Sequence, residues 1–323
     1  MNIFFERMNI LFTCVGRRIE LMQCFCEAAA SLNVGITIHG TDVSDTAPAL
    51  KFCGVAHIAP GIKDPEYIPS LLKICEEQHI DAVIPTIDTD LLILSENKEK
   101  FEKIGTRVVI SGTEEIGICR DKRYTSSFFE SCGLKAPKTF DDVEKYDMGY
   151  PCFIKPKDGS SSIFAYKVNN EKELRAYAAQ VPDYIIQPFI DGTEYTVDIF
   201  CDFDSNPIYI TPRIRLAVRA GEVLKTQIVQ DETIINEMKA LIQKFKPCGA
   251  ITVQLIQDKK TGENYYIEIN PRFGGGAPLS MKAGANSAEA LLRLLKGEKL
   301  SFKMGAAEDG AIYCRFDQSI RVN

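Results

Sequence analysis

No apolar run in the 323 residues approaches the roughly 18 needed to span a bilayer. A membrane span is therefore not expected. Histidine is scarce, with three in the whole chain, and none lies beside a cysteine cluster. No CxxC pair occurs, so a structural zinc site is not expected either. The GxGxxG dinucleotide fingerprint and the GxxxxGK[ST] phosphate loop are both missing. "CVGRR", after the first apolar run, holds one glycine, which leaves a dinucleotide-dependent oxidoreductase as a weak alternative. The N-terminal stretch "MNIFFERMNILFTCVG" carries Glu6 and no small-residue cleavage site, so no signal peptide is read there. Its repeated "MNI" marks Met8 as a second candidate start.

What is present is ordinary for a globular protein: 45% hydrophobic and 25% charged residues. A net charge of −6 argues against general nucleic-acid binding. The eleven cysteines are odd in number and sit mostly in apolar runs such as "LFTCV" and "DIFCDF". They read as reduced, small hydrophobic residues of a cytoplasmic protein.

The first third alternates strand-like and helix-like segments. "NILFTCV", "GITIHGTD", "IDAVIPT" and "TRVVIS" are apolar runs separated by helical periodicity. That order predicts a parallel, doubly wound sheet with a ligand crevice at the strand C-termini. Arg17 and Asp42 lie where that crevice would be. Beyond Thr113 the texture changes to two short helices, strands flanking a polar Gly/Ser loop, a run of antiparallel strands, and a hairpin. A helix, "SAEALLRLLKG", and a late strand, "AIYCRF", close the chain.

The hairpin carries the strongest chemical signal, in "YYIEINPRFGGG" from Tyr265 to Gly276. Centring its turn near Thr261 sets Gln254 opposite Glu268, with Asn270 two residues on and on the same face. Val253, Leu255, Ile267 and Ile269 fall on the other, core-facing side. Three oxygen donors on one face suit Mg²⁺, a hard cation that completes its shell with phosphate oxygens and water. Pro271 ends the strand, Arg272 stands where phosphate oxygens would be, and Gly274–Gly276 allow close backbone approach. A solvated hairpin face with a glycine-rich turn is the competing reading.

Lys155 in "FIKPKDGSSS" ends an apolar strand before a flexible loop. With the backbone N–H groups of Asp158, Gly159, Ser160, Ser161 and Ser162 it can hold nucleotide phosphates. Lys122 precedes it on a helix. Gln187, Pro188, Phe189 and Ile190 form an apolar strand-to-loop segment whose backbone can read an adenine edge. Glu194 can accept from ribose hydroxyls. "TPRIRLAVRAGEVLKTQ" adds Arg213, Arg215, Arg219 and Lys225. Arg213, Arg215 and Arg219 share a face in an extended segment, either to bind an anion or as a solvated edge.

"YPCFIKPKDGSSS", "IIQPFIDGTEYTVDIF" and "VQLIQDKKTGENYYIEINPR", in that order, resemble the ATP-grasp superfamily. The resemblance covers nearly the whole chain and is strongest to the synthetase halves of the carbamoyl-phosphate synthase large subunit. Biotin carboxylase and D-alanine–D-alanine ligase are further relatives. It implies an α/β and α+β protein with three parts. Residues 1–112 would be a Rossmann-like pre-ATP-grasp domain, 113–183 a small lobe with the phosphate loop, and 184–323 a large lobe with the metal site. It also implies ATP and two Mg²⁺, with Mn²⁺ able to substitute. Lys122 and Lys155 would contact phosphates, and Arg272 and Lys155 would act in catalysis; Arg213, read from the arginine run rather than from the resemblance, is a third catalytic candidate. The implied reaction is a carboxylate–amine, or less often carboxylate–thiol, ligation through an acyl phosphate. The expected partners are small-molecule carboxylates and amines, with no nucleic acid or membrane and a homodimer left open. Gln187 and Gln254 depart from the acidic residues common in the superfamily, and DGSSS is poorer in glycine than the loops of biotin carboxylase. A nucleotide-binding regulatory or assembly subunit without turnover is the alternative.

Overall fold

The computed structural model describes residues 7–158 and 164–322. Gly159, Ser160, Ser161 and Ser162 of the expected phosphate loop lie outside the described residues.

The first sheet is built from β1 (Arg7–Thr13), β2 (Gly35–Asp42), β3 (Val55–Ile58), β4 (Ala82–Pro85) and β5 (Arg107–Val108). All its pairings are parallel, in the order β3-β2-β1-β4-β5. Helix α1 (Ile19–Ser31) follows β1 and covers one face, burying Met22 and Phe25 against Ile10 and Phe12. Three helices, α2 (Tyr67–Glu77), α3 (Leu91–Glu96) and α4 (Lys98–Lys103), cover the other face, where Leu11 meets Tyr67, Leu71 and Phe101. The side chains of β1 thus alternate between two cores, as a parallel strand buried on both sides requires. Two details differ from the sequence expectation. β3 is a fifth strand whose four residues carry no periodic signal. The helical periodicity between "IDAVIPT" and "TRVVIS" forms two helices rather than one, with a break at Asn97, whose side chain caps the last turn of α3 by donating to the Ile93 carbonyl at 2.8 Å.

Helices α5 (Thr113–Arg120) and α6 (Lys122–Ser131) come next, separated by Asp121, whose carboxylate accepts from the Arg123 N–H. A small antiparallel sheet, ordered β7-β6-β8, contains β6 (Cys152–Pro156), β7 (Tyr166–Val168) and β8 (Tyr184–Pro188). Helix α7 (Glu171–Ala178) packs Leu174 against it.

The third sheet has β9 (Gly192–Cys201), β10 (Pro207–Arg219), β11 (Glu222–Ile228), β12 (Gly249–Asp258), β13 (Asn264–Asn270) and β14 (Ile312–Cys314). Its order is β13-β12-β9-β10-β11-β14. Helix α8 (Glu232–Phe245) covers one face, burying Met238, Leu241 and Phe245 on Val197, Ile199 and Val253. Phe129 of α6 joins this core beside Tyr266 of β13. The other face meets the N-terminal module through an aromatic chain. Phe12 and Phe25 lie 5.2 Å apart, Phe25 and Phe273 6.0 Å, and Phe273 and Phe200 6.2 Å. Helices α9 (Ala277–Lys282) and α10 (Ser287–Leu295) complete that shared core.

Candidate active site

The hairpin register is the expected one: Gln254 pairs with Glu268, and Thr252 with Asn270. The next pair is Leu255 with Tyr266, so β13 carries an extra residue at Ile267. This corrects the expected core. Ile267 is half-buried, and Tyr266 takes the inward place, its hydroxyl donating to Glu237 at 2.6 Å. The bulge lies on the turn side of Glu268, so the Gln254–Glu268 and Thr252–Asn270 pairings are untouched.

Cross-strand pairing extends this face into two rungs. One runs Arg213–Thr196–Gln254–Glu268 over four strands, and the other runs Thr211–Asp198–Thr252–Asn270. A directly opposed row shares one face of a sheet. The fold therefore sets the three oxygen donors together at one end of a polar strip and Arg213 at the other. Three strand spacings of about 4.8 Å put Arg213 roughly 14 Å from Glu268 along the rung. Its guanidinium is buried and turned onto Asp198, with Nε 2.8 Å from Oδ2. Ser280 also donates to that carboxylate, at 2.6 Å. Arg215 donates to the Gly221 carbonyl at 2.9 Å and lies 3.3 Å from Glu194. Arg219 is exposed and pairs with Asp317 at 2.7 Å. An irregular register between Arg215 and Val218 separates it from the other two arginines. Lys225 is exposed on β11.

Lys155 is the penultimate residue of β6, in the small sheet. Burial lowers its ammonium to about 8; Glu268 opposes that fall and Lys122 adds to it. Lys122 opens α6, with its backbone N–H on the Lys157 carbonyl at 2.9 Å. Asp158 is exposed at the edge of the loop. Gln187 is buried and donates to Thr139 Oγ1 at 2.9 Å. Pro188 ends β8, and the Phe189 N–H donates to the Pro151 carbonyl at 3.2 Å. Ile190 follows it, half-buried. The Phe189 ring is capped by the Lys167 ammonium at 3.7 Å from its centroid.

Arg272 lies at the centre of a group the sequence did not reveal. Its Nη2 donates to Asp88 at 2.6 Å and to Asn270 at 3.3 Å, and its Nη1 donates to the Phe273 carbonyl at 3.2 Å. Asp88 follows β4, in the crevice at the C-terminal edge of the parallel sheet. Only the general rule for such crevices pointed there, and it drew attention to Arg17 and Asp42 instead. Asp42 is taken up by backbone, accepting from the N–H of Gly16, in the loop after β1, at 2.9 Å and from that of Ser44 at 3.1 Å. Arg17 is largely exposed. Glu222 gathers Arg315 at 3.1 Å and Arg18 at 3.9 Å.

The glycine run serves packing within the protein. A Cβ at Gly274 would stand 2.7 Å from Thr252 Oγ1, one at Gly275 2.2 Å from Glu222 Oε2, and one at Gly276 2.6 Å from Arg213 Nη2. All eleven cysteines are free thiols. Burial raises Cys14 and Cys24 to about 12 and Cys53 to about 11, so none of these three is a thiolate at neutral pH. Among the described residues no group of three or more His, Cys, Asp or Glu could hold a metal, and no helix is long and apolar enough to cross a membrane. The donor set on the hairpin has one carboxylate and two amides.

Residues 119–276 match the ATP-grasp domain family, and residues 10–109 match the PylC-like N-terminal domain. The chain is thus a mixed α/β protein in which a PylC-like domain precedes an ATP-grasp domain. It is 26% identical over 183 residues to a D-alanine–D-alanine ligase of Thermoanaerobacter sp. (strain X514), covering 47% of this chain and 51% of that one. It is 23% identical over 257 residues to a carbamoyl-phosphate synthase of Methanobrevibacter smithii, covering 74% and 70%. Among solved structures it resembles the biotin carboxylase domain dimer of Hydrogenobacter thermophilus 2-oxoglutarate carboxylase, which was solved with MgADP and bicarbonate. The TM-score is 0.74 at 18% identity, over 95% of this chain and 74% of that one. The chain spans about half the length of the ligase it matches.

Proposed function

We propose that the protein is an ATP-dependent carboxylate–amine ligase that works through an acyl phosphate. The observation that carries this reading is the Gln254–Glu268 rung, with Asn270 beside it and Lys155 and Arg272 facing it.

The donor chemistry fits magnesium. Glu268, Asn270 and Gln254 would hold it through one carboxylate and two neutral oxygens, leaving positions for phosphate oxygens. When bound, Mg²⁺ neutralises charge on the triphosphate. Two ions, and replacement by Mn²⁺, belong to the same proposal.

The chain's own residues hold and orient the reactants. Lys122 and Lys155 receive the phosphates. The backbone from Gln187 to Ile190 receives the adenine, with the Phe189 N–H already engaged by Pro151. Glu194 accepts from the ribose and releases Arg215 in doing so. A substrate carboxylate oxygen attacks the γ-phosphorus, and the bond to ADP breaks. Arg272 stabilises the transferring group. An amine nitrogen then attacks the acyl carbon, the carbon–oxygen bond to phosphate breaks, and a proton leaves to solvent. A thiol is the less favoured nucleophile. Arg213, buried on Asp198, orders the strip rather than touching the reacting atoms. Residues 1–112, 113–183 and 184–323 are proposed as the three working units. A homodimer is proposed by analogy with the Hydrogenobacter domain.

The test is Mg·ATP-dependent ADP release, screened over amino-acid and sugar-acid libraries with paired amines. Release that requires both an acid and an amine supports the ligase. ATP binding without acid-dependent release favours a regulatory subunit.

A further inference from the structure

The contact between Asp88 and Arg272 joins the two matched domains across 184 residues of sequence. Arg272 follows Pro271 at the end of β13, and its side chain is long and flexible. Among the described residues its hydrogen bonds to side chains go to Asp88 and, at the longer distance of 3.3 Å, to Asn270. The pair is also incomplete. Nη2 meets Asp88 Oδ2 at 2.6 Å, while Nε of Arg272 and Oδ1 of Asp88 are buried with no hydrogen-bond partner among the described residues. One carboxylate oxygen therefore sets the guanidinium, and a donor on the same edge stays unused.

Asp88 itself is held from both sides. Two residues before it, Thr86 donates to the carbonyls of Thr13 at 3.0 Å and Cys14 at 2.8 Å. Two residues after it, Asp90 accepts from Thr13 Oγ1 at 2.6 Å and from the Tyr67 hydroxyl at 3.1 Å. Thr13, Thr86 and Asp90 are all fully buried. This network fixes the loop and leaves Asp88 projecting from a rigid platform, as pre-organised sites require.

We propose that Asp88 is a positioning residue, supplied by the PylC-like domain, that aims the Arg272 guanidinium at the transferring phosphoryl group. The proposal rests on the ligase reading above. An ion pair that only joined the modules would be redundant there, because the Phe25–Phe273 contact already ties them.

The experiment compares the full chain with its D88A, D88N, R272A and D88A/R272A variants. ADP release is measured with the amino-acid and sugar-acid panel, hydroxylamine serving as the amine. D88A is expected to lower kcat about tenfold or more, with KM for ATP within about threefold. D88N, which keeps an oxygen acceptor, should fall between D88A and the unsubstituted chain. In the R272A background D88A should have no further effect, because Asp88 acts through that arginine. An unchanged kcat in D88A, or an equal loss in the R272A background, overturns the proposal while the ligase reading stands. If D88A fails to fold, D88N in both backgrounds gives the same comparison. An unsubstituted chain that releases no ADP with any acid overturns the ligase reading, and this proposal with it.

Discussion

In the proposed site, Glu268 and Lys155 differ in what they cost the fold. Glu268→Ala should cut ADP release by more than about 100-fold while leaving circular dichroism and the melting temperature unchanged. Retained turnover in that variant would remove the metal assignment. Lys155 is an ammonium held out of water, lowered to about 8 from 10.5. Below pH 8 it is charged in both folded and unfolded chains, so its full desolvation cost is present. As pH rises from about 8 to 10.5 the folded chain loses the proton first, and the cost fades. Lys155→Met should therefore melt at a higher temperature than the parent at pH 7, yet show no Mg·ATP binding by calorimetry. A lower melting temperature would mean that the ammonium is well paired before nucleotide arrives.

At the scale of elements, β2 and β3 are joined by two stacked imidazoles. His39 Nδ1 and His57 Nε2 lie 3.2 Å apart, with the ring planes 10° from parallel. Burial lowers His39 to about 4 from 6.5, and the neighbouring His57 and Arg7 add to the fall. Between those values the unfolded chain binds a proton that the folded chain refuses, so stability drops as pH falls from 6.5 towards 4. The gap corresponds to up to about 3 kcal/mol. Urea unfolding at pH 7 and pH 4.5 should show a smaller acid loss for His39→Gln than for the parent. Equal losses would assign the acid sensitivity to other groups, among them His57, which burial also lowers. The β13 bulge belongs to this scale as well. It moves Tyr266 into the core without displacing Glu268, because the extra residue falls between the two.

For the whole molecule, the parallel sheet and the six-stranded sheet share one core, whereas β6, β7 and β8 close over a small core of their own. Small cores open at lower free energy than large ones. Amides of Ile154 and Ile186 should exchange with deuterium faster than those of Ile10 and Phe200. Adding Mg·ATP should slow the first pair selectively, because the nucleotide would bridge the small sheet and the hairpin. Equal protection in the empty protein would show that the small lobe is not a separate opening unit.

Local pattern in the chain was enough for the alternating strands and helices, the hairpin register, and the placing of Gln254, Glu268 and Asn270 on one face. Each of these depends on periodicity or on counting from a turn, and both are properties of neighbouring residues. The break at Asn97, the strand Val55–Ile58 and the bulge at Ile267 escaped because a cap, a pairing partner or a packing site at a distance decides them. Arg213 had the right strand and the right face, yet its guanidinium is spent on Asp198, a partner that only the sheet order brings near. Asp88 is an isolated acid in the sequence. Its place beside Arg272 follows from docking one domain on another, and no local spacing encodes that long-range contact.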